Sequence, residues 1–519
     1  MDNFLWWRDG VIYQIYPRSF ADGNGDGLGD LIGIISRLDY LNDLGIDAIW
    51  LSPFYPSPDK DFGYDVSNYT DVDPRFGTLA DFDRLVAEAH QRGIRIVLDL
   101  VLNHTSDQHS WFLESRSSQD NPKREWYIWR DHPNNWQAFF GGSAWEYDPV
   151  SRQYYLHLFT KQQPDVNWRN PDVRKEMLEV FRFWMERGVD GFRLDVFNAY
   201  FKDSDLHNNP PRFGLRAFDR QRHIHDIDQP EMMPFLNDLR ILLDSYPERY
   251  AVGETYLATP QKTILYCGAG KLHASFSFDF TPYNLIYPWY SAWLKAHIIR
   301  REETFKASGI WPTTVMSNHD LPRAASRYSR GENDAQAKLA MTLLLTLRGT
   351  PFLYYGEEIG MRDIPLRRSE ILDPPGKKYW PIYKGRDGCR SPMQWNSSAY
   401  AGFSNTQPWL PVHPNYIRRN VVSQQADPKS LFNFTKNILT LRKETPALCR
   451  GEFVPLKTPT GTLAYLRQLE EQTVLVAMNF SKRFVSFALP DGHWRDIIST
   501  SEGAPGRLAP HEIQLLILG

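Results

Sequence analysis

Four segments of this sequence end short apolar, β-branched runs with charged side chains. In Gly191-Phe-Arg193-Leu-Asp195 an arginine and an aspartate stand two residues apart. On a strand such residues share a face. A guanidinium beside a carboxylate favours the ionised form, which suits a nucleophile; a structural ion pair at a strand end would look the same. Val252-Gly-Glu254-Thr-Tyr256 brings a second carboxylate to the end of the next run. Neighbouring strands lie about 5 Å apart, so Asp195 and Glu254 could face each other across a bound sugar. A retaining glycosidase needs two carboxyl groups about 5–5.5 Å apart, one as nucleophile and one as proton donor. Asp99-Leu-Val-Leu-Asn103-His104 and Ser317-Asn-His319-Asp320 end two further runs. His104 and His319 lack the tight spacing of a metal motif and read better as partners of substrate hydroxyls. Asp320 adds a third carboxylate, able to hold a sugar ring distorted. Each histidine alone would read as a core residue; four polar clusters at four strand ends point to one site.

The elements that position these groups alternate. Strand-like runs fall at Val11–Tyr16, Ala48–Leu51, Ile94–Asp99, Gly191–Leu194, Ala251–Glu254, Ser275–Phe278, Thr314–Ser317 and Phe352–Tyr355. Helical periodicity falls at Asp30–Leu44, Leu79–Gln91, Pro171–Arg187, Met232–Ser245, Tyr283–Arg301, Ala335–Leu347 and Ser430–Lys443, with a weak helix near Pro260–Tyr266. Eight strand–helix units predict an α/β fold, a (β/α)8 TIM barrel. Two stretches break the rhythm: one rich in Trp, Asn, Asp and Pro after the third strand, and a long loop over 360–428. Both follow carboxyl ends of strands, the face where barrel enzymes place their sites. After Ala447 the pattern turns to alternation, as in Thr462–Arg467, Thr473–Asn479 and Phe484–Leu489, which predicts a small C-terminal all-β sandwich domain. The expected division is 1–103 and 170–447 for the barrel, 104–169 for a small inserted domain and 448–519 for the β domain.

Composition excludes several classes. The chain has 519 residues, 42% hydrophobic and 23% charged, as an ordinary globular protein does. A net charge of −3 gives no electrostatic reason to expect nucleic acid or an anionic membrane as partner. No apolar run is long enough to span a bilayer, and the N-terminus lacks the pattern of a signal peptide. Cys267, Cys389 and Cys449 are odd in number and widely spaced, as free thiols in a reducing compartment would be. A cytoplasmic protein is expected. Aromatic residues, at 14%, suit either a large core or a sugar-binding cleft.

The four segments together resemble the defining motifs of glycoside hydrolase family 13, the α-amylase family. Gly45-Ile-Asp-Ala-Ile-Trp-Leu-Ser-Pro and Gly349-Thr-Pro-Phe-Leu-Tyr-Tyr-Gly-Glu-Glu-Ile-Gly resemble further family segments, and the likeness covers nearly the whole chain. The resemblance implies Asp195 as nucleophile, Glu254 as general acid/base and Asp320 as transition-state stabiliser. Arg193, His104 and His319 match residues around the non-reducing sugar ring. Gln163-Pro-Asp-Val-Asn167 is similar to the signature of the oligo-1,6-glucosidase and α-glucosidase subgroup, with valine where leucine is usual. By the subgroup match Asp61 and Arg386 would clamp the terminal glucose and Tyr64 would stack beneath it, which implies exo action. Arg390 is the other candidate for the Arg386 contact. Phe159 matches an aromatic wall of the pocket, with core packing the equal alternative. Val196, directly after the nucleophile, matches a position where valine accompanies α-1,6 preference in the subgroup, although it could equally pack against the barrel wall.

The loop Asp22-Gly-Asn24-Gly-Asp26-Gly-Leu28-Gly-Asp30 sets oxygen ligands at alternate positions, a spacing that can wrap a hard cation. It departs from an EF-hand in having Gly33 at the twelfth position. The resemblance implies a structural Ca2+, or Mg2+, on Asp22, Asn24, Asp26, Asp30 and the carbonyl of Leu28. No organic cofactor is implied. The expected activity is a retaining exo-α-glucosidase acting on short oligosaccharides, with α-1,4 and α-1,6 linkage left open, as is the oligomeric state. Two rivals stand beside it: a rearranging relative such as a trehalose synthase, sucrose isomerase or glucosyltransferase, and a non-catalytic family member that partners a transporter.

Overall fold

The computed structural model describes residues 4–276, 278, 280, 291–329 and 331–519. Its strands in chain order begin with β1 (Ile12–Ile15), β2 (Ala48–Leu51) and β3 (Arg95–Leu100). A separate antiparallel sheet follows, made of β4 (Trp129–Arg130), β5 (Trp145–Asp148) and β6 (Gln153–Leu156) in the order β4-β6-β5. The first sheet resumes with β7 (Gly191–Leu194), β8 (Tyr250–Glu254), β9 (Ala274–Phe276), β10 (Thr313–Val315) and β11 (Thr350–Tyr354). These eight strands pair in parallel in the order β10-β11-β1-β2-β3-β7-β8-β9. The hydroxyl of Thr313 on β10 donates to the Ser275 carbonyl on β9 at 3.2 Å, so the two edges meet and the barrel is nearly closed.

Alternation along the strands sorts two cores. Ile12, Ala48, Trp50, Val97, Val252, Ala274, Phe276, Val315 and Phe352 fill the barrel interior. Their neighbours, such as Tyr13, Ile49, Ile96 and Phe192, join the larger core between sheet and helices. A parallel sheet covered on both faces is buried throughout, which is why the runs read as continuously apolar. Two residues beyond Val97 and Val252, on the same face, stand Asp99 and Glu254. The interior therefore becomes ionisable where the strands end.

Several elements differ from the sequence expectation for identifiable reasons. The helix expected over Asp30–Leu44 is two, Leu31–Ile35 and Leu38–Leu44. The Ser36 hydroxyl donates to the Gly33 carbonyl at 2.6 Å, a local bond that competes with helix continuation. The helix expected from Tyr283 begins outside the described residues; the described helix is Ser291–Ser308 and runs past Arg301. Strand nine ends at Phe276, and residue 277 of the expected Ser275–Phe278 run lies outside the described residues.

The C-terminal part is all β. A five-stranded antiparallel sheet orders β12 (Glu452–Pro455), β13 (Thr462–Leu469), β14 (Gln472–Asn479), β18 (Ile513–Leu518) and β16 (Trp494–Ser499). A second sheet pairs β15 (Val485–Ser486) with β17 (Arg507–Leu508). Ala464, Leu466, Leu475, Leu516 and Leu508 pack between the two. The expected alternation is replaced by continuous burial along β13 and β14, because the opposite face, with Tyr465, Val476 and Leu515, belongs to the core beneath the barrel helices. Only Val485–Ser486 of the expected Phe484–Leu489 strand is extended into a ladder; Phe484 is exposed and Pro490 supplies no donor beyond it.

Candidate active site

Arg193 organises the mouth of the barrel. In register it lies beside Asp99 of β3 and Val252 of β8. One guanidinium nitrogen donates to Asp99 Oδ1 and to Asp195 Oδ1, each at 2.7 Å. The other donates to Glu254 Oε2. The Asp195 amide bonds the Leu100 carbonyl at 3.0 Å, which carries the ladder one residue past β7 and fixes the carboxylate. Gly253 permits this arrangement, since a Cβ there would lie 2.3 Å from the Phe197 ring, just after the nucleophile candidate.

Burial and charge separate the carboxyl groups. Burial pushes Glu254 well above the ordinary carboxylic range, and the charges of Asp195 and Asp320 add to this against the pull of Arg193. Burial and Asp195 likewise raise Asp99, in spite of Arg193. Asp320 goes the other way. Burial opposes its ionisation, but His319, Arg386 and Arg390 together hold it below the usual carboxylate range. Glu254 is thus disposed to hold a proton and Asp320 to hold a charge, so the two carboxyl groups suit different tasks.

His319 packs between these groups. Its ring stacks on Tyr64 with centroids 5.2 Å apart. Gln14 donates to Nδ1 at 2.8 Å, so the neutral ring carries its proton on Nε2, which lies 2.6 Å from the Tyr64 hydroxyl and 3.2 Å from Asp320 Oδ2. Burial pushes His319 down to about 3. The Tyr64 hydroxyl in turn donates to Asp99 Oδ2 at 2.9 Å.

A second cluster closes one side. Arg386 donates to Asp61 Oδ1 at 2.5 Å, to Asp373 Oδ1 at 2.7 Å and to Asp320 Oδ1 at 3.3 Å. Arg390 instead reaches the His319 carbonyl at 2.7 Å and Asp320 Oδ1 at 2.9 Å. Of the two arginines, Arg386 is the one paired with Asp61. Gln163 Nε2 lies 3.2 Å from Asp61 Oδ2 and 3.0 Å from His104 Nε2. Phe159 sits 5.1 Å from the His104 ring, beside Phe139, Phe140 and Tyr256, and the Arg386 guanidinium lies over Phe140.

His104, Arg193 and His319 are almost wholly buried. The side chains of Asp320, Glu254 and Asp195 keep 34%, 15% and 10% exposure and that of Arg386 keeps 9%, so the carboxyl groups are the most exposed of these charged groups. Val196 is buried and has φ 36° and ψ 38°, a left-handed conformation that is costly for a β-branched residue. Three members of the network carried no assignment in the sequence. Asp99 stands two residues beyond inward-facing Val97, and Gln163 opens the Gln163–Asn167 segment, so both had a signal. Asp373 had none, because only the fold of the long loop brings it to Arg386.

The Asp22–Asp30 loop lies apart from this cluster. Asp22 accepts from the amides of Gly25 and Gly27 and from the Ser404 hydroxyl. Asp26 accepts from the Leu28 amide, and Asn24 from that of Asp26. Asp30 caps the helix Leu31–Ile35 through Gly33 at 2.6 Å. Burial and the charge of Asp22 raise Asp30 despite its amide donors. The side-chain donors are all oxygens, most with lone pairs left over, which is chemistry that fits a hard cation.

Comparison with known proteins agrees in extent and order. The family description "Alpha amylase, catalytic domain" matches residues 14–451, and "Maltogenic Amylase, C-terminal domain" matches 452–514. A probable α-glucosidase of Rhizobium meliloti is 44% identical, over 98% of this chain and 95% of the relative. An oligo-1,6-glucosidase of Parageobacillus thermoglucosidasius is 42% identical, over 94% and 92%. Among solved structures, an α-glucosyl transfer enzyme matches with a TM-score of 0.93 and 42% identity, covering 100% of both chains. The trehalulose synthase of Pseudomonas mesoacidophila matches at 0.90 and 36%, also over 100% of both.

Proposed function

The chain belongs to glycoside hydrolase family 13, the α-amylase family, and we propose that it is a retaining, exo-acting α-glucosidase that removes terminal non-reducing α-glucose from short oligosaccharides. Relatives named α-glucosidase and oligo-1,6-glucosidase, at 37–44% identity, support this reading. The observation that carries it is the single guanidinium of Arg193 holding Asp195 and Glu254 side by side.

Asp195, ionised, attacks the anomeric carbon while Glu254 gives its proton to the glycosidic oxygen. The carbon–oxygen bond breaks, the aglycone leaves as an alcohol, and an ester joins the glucosyl unit to Asp195. Glu254, now a carboxylate, takes a proton from water as its oxygen displaces Asp195, so two inversions give net retention. Asp320, held ionised, faces the positive charge that develops on the ring. Asp61 and Arg386 grip the terminal sugar and leave no room for chain extension, with Tyr64, His104, His319 and Phe159 shaping the pocket around them.

A hard divalent cation, Ca2+ or Mg2+, held by Asp22, Asn24, Asp26, Asp30 and the Leu28 carbonyl would brace the first loop and take no part in the chemistry. Among the described residues no helix is long and apolar enough to cross a membrane. The three cysteines are free and buried, which supports a cytoplasmic setting.

The test is a panel of maltose, isomaltose, maltotriose, sucrose and trehalose, with products identified and the anomer of the first-released glucose read by NMR. Free α-glucose as the first product is expected. β-Glucose would overturn retention, and accumulation of longer or isomeric glucosides in place of glucose would turn the reading to a transferase like the relative of known structure.

A further inference from the structure

The stretch following the catalytic strand carries a second cluster that the proposed reaction does not use. His207 Nδ1 lies 2.6 Å from Asp203 Oδ2, and His225 Nδ1 lies 3.1 Å from the same oxygen. The ligand atoms of the three side chains all fall within 4.8 Å of one another. The two imidazole rings sit 5.5 Å apart and tilted by 45°, so neither stacks on the other. Four ligand atoms placed tetrahedrally at about 2.0–2.1 Å from a metal stand about 3.3 Å apart, so an ion would widen the 2.6 Å His207 contact and leave the 3.1 Å His225 contact nearly as it is.

The cluster is anchored from several sides. The Asp203 amide donates to the His225 carbonyl at 2.7 Å. The His207 amide donates to Asp203 Oδ2 at 3.0 Å. Trp136 holds the His207 carbonyl at 2.9 Å, and Asn134 holds that of Leu206 at 2.9 Å, so the inserted segment fixes the turn. Asp203 borders an open cleft beside Trp129, Tyr200 and Lys202, and the His207 side chain is 62% exposed. An ion would therefore have a path in, and a free coordination position would face water. One oxygen, Asp203 Oδ2, meets an amide and two imidazole nitrogens.

We propose that Asp203, His207 and His225 form a binding site for a first-row divalent ion of the zinc class. Two imidazole nitrogens and one carboxylate oxygen match the preferences of Zn2+ and its neighbours, whereas Ca2+ and Mg2+ prefer oxygen alone. The ion takes the place of the Nδ1 protons: each ring binds through Nδ1 as the neutral tautomer with its single hydrogen on Nε2, a proton displaced from a charged ring passes to solvent, and no electron moves. The site is remote in kind from the reaction and stands independently of the α-glucosidase reading. Its effect is mechanical: it ties the 203–207 turn to His225. From there the chain reaches Asp228, whose amide bonds the Asn198 carbonyl at 2.7 Å, three residues past Asp195.

The test is calorimetric titration of the whole chain with ZnCl2 in buffer saturated with Ca2+, so that the glycine-rich loop does not compete. One ion per chain is expected, with affinity at least tenfold weaker in His207→Ala and in His225→Gln. Co2+ as a spectroscopic probe should give a visible d–d absorption in the parent and not in either variant. Melting curves of the metal-free proteins check that both variants fold, and their metal-free activity should match the parent. Zn2+ affinity unchanged by both substitutions, or no binding by the parent, would overturn the site and leave the three side chains a hydrogen-bonded brace.

Discussion

Asp61 and Arg386, 325 residues apart in sequence, meet at 2.5 Å, and the same guanidinium holds Asp373 at 2.7 Å. A buried arginine that neutralises two carboxylates leaves both unpaired when it is removed, a loss of about 3–5 kcal/mol for breaking such a pair. Arg386→Ala should therefore lower thermal stability by that order as well as kcat/KM, and Arg386→Lys should recover only part, because an ammonium can replace Nη2, which bonds both Asp61 and Asp373, but not the Nε bond to Asp373 or the Nη1 contact to Asp320. Melting curves beside kinetics on maltose decide this; an unchanged melting temperature would mean that the pair is dispensable.

Asp195→Ala and Glu254→Gln should each remove most activity, roughly 10²–10⁴-fold for the general acid/base alone, while the circular dichroism spectrum stays that of the parent. Turnover of Asp195→Ala near the parent rate would sink the nucleophile assignment.

The alkaline side of the pH profile should report Glu254. Its burial and the charges of Asp195 and Asp320 raise it, and the proposed reaction needs its protonated form. kcat/KM should accordingly fall as pH rises through a value well above the ordinary carboxylic range, and residual activity of Glu254→Gln should lose that limb. A profile flat to the alkaline limit of stability would contradict the role.

Chelation should lower the melting temperature more than the initial rate, because a cation bound only by the folded state adds its binding free energy to stability. Immediate loss of activity at unchanged stability would instead place a metal in the chemistry.

Val196→Thr should lower the ratio of kcat/KM for isomaltose to that for maltose. A change of this size in a pocket is worth about 1–3 kcal/mol, roughly 10–200-fold. A ratio constant within about twofold, far inside that range, would place linkage choice in other loops.

The sequence announced what lies on strands and hid what depends on loops. Asp195, Arg193 and Glu254 were readable because strand alternation and neighbouring register bring them together with no further information. The Arg386 to Asp61 contact could be named only by resemblance, since no periodicity connects loops so far apart. Asp373 was invisible for the same reason. The continuous apolar strands of the β domain misled the period-two reading, because their second face is covered by the barrel. The helix break at Ser36 was missed because one side-chain hydrogen bond outweighs an otherwise helical pattern.

The mouth of the barrel gathers six carboxyl groups, Asp61, Asp99, Asp195, Glu254, Asp320 and Asp373, around three guanidinium groups, Arg193, Arg386 and Arg390. Even with Glu254, Asp99 and Asp61 tending to keep their protons, acid is not outnumbered, and Asp320, Glu254 and Asp195 are more exposed than any of the three guanidinium groups. The cleft is in effect a receptor for positive charge: a small protonated amine shaped like a sugar ring would find there the welcome built for the reaction's fleeting cation, and a sugar acid would be turned away at the door.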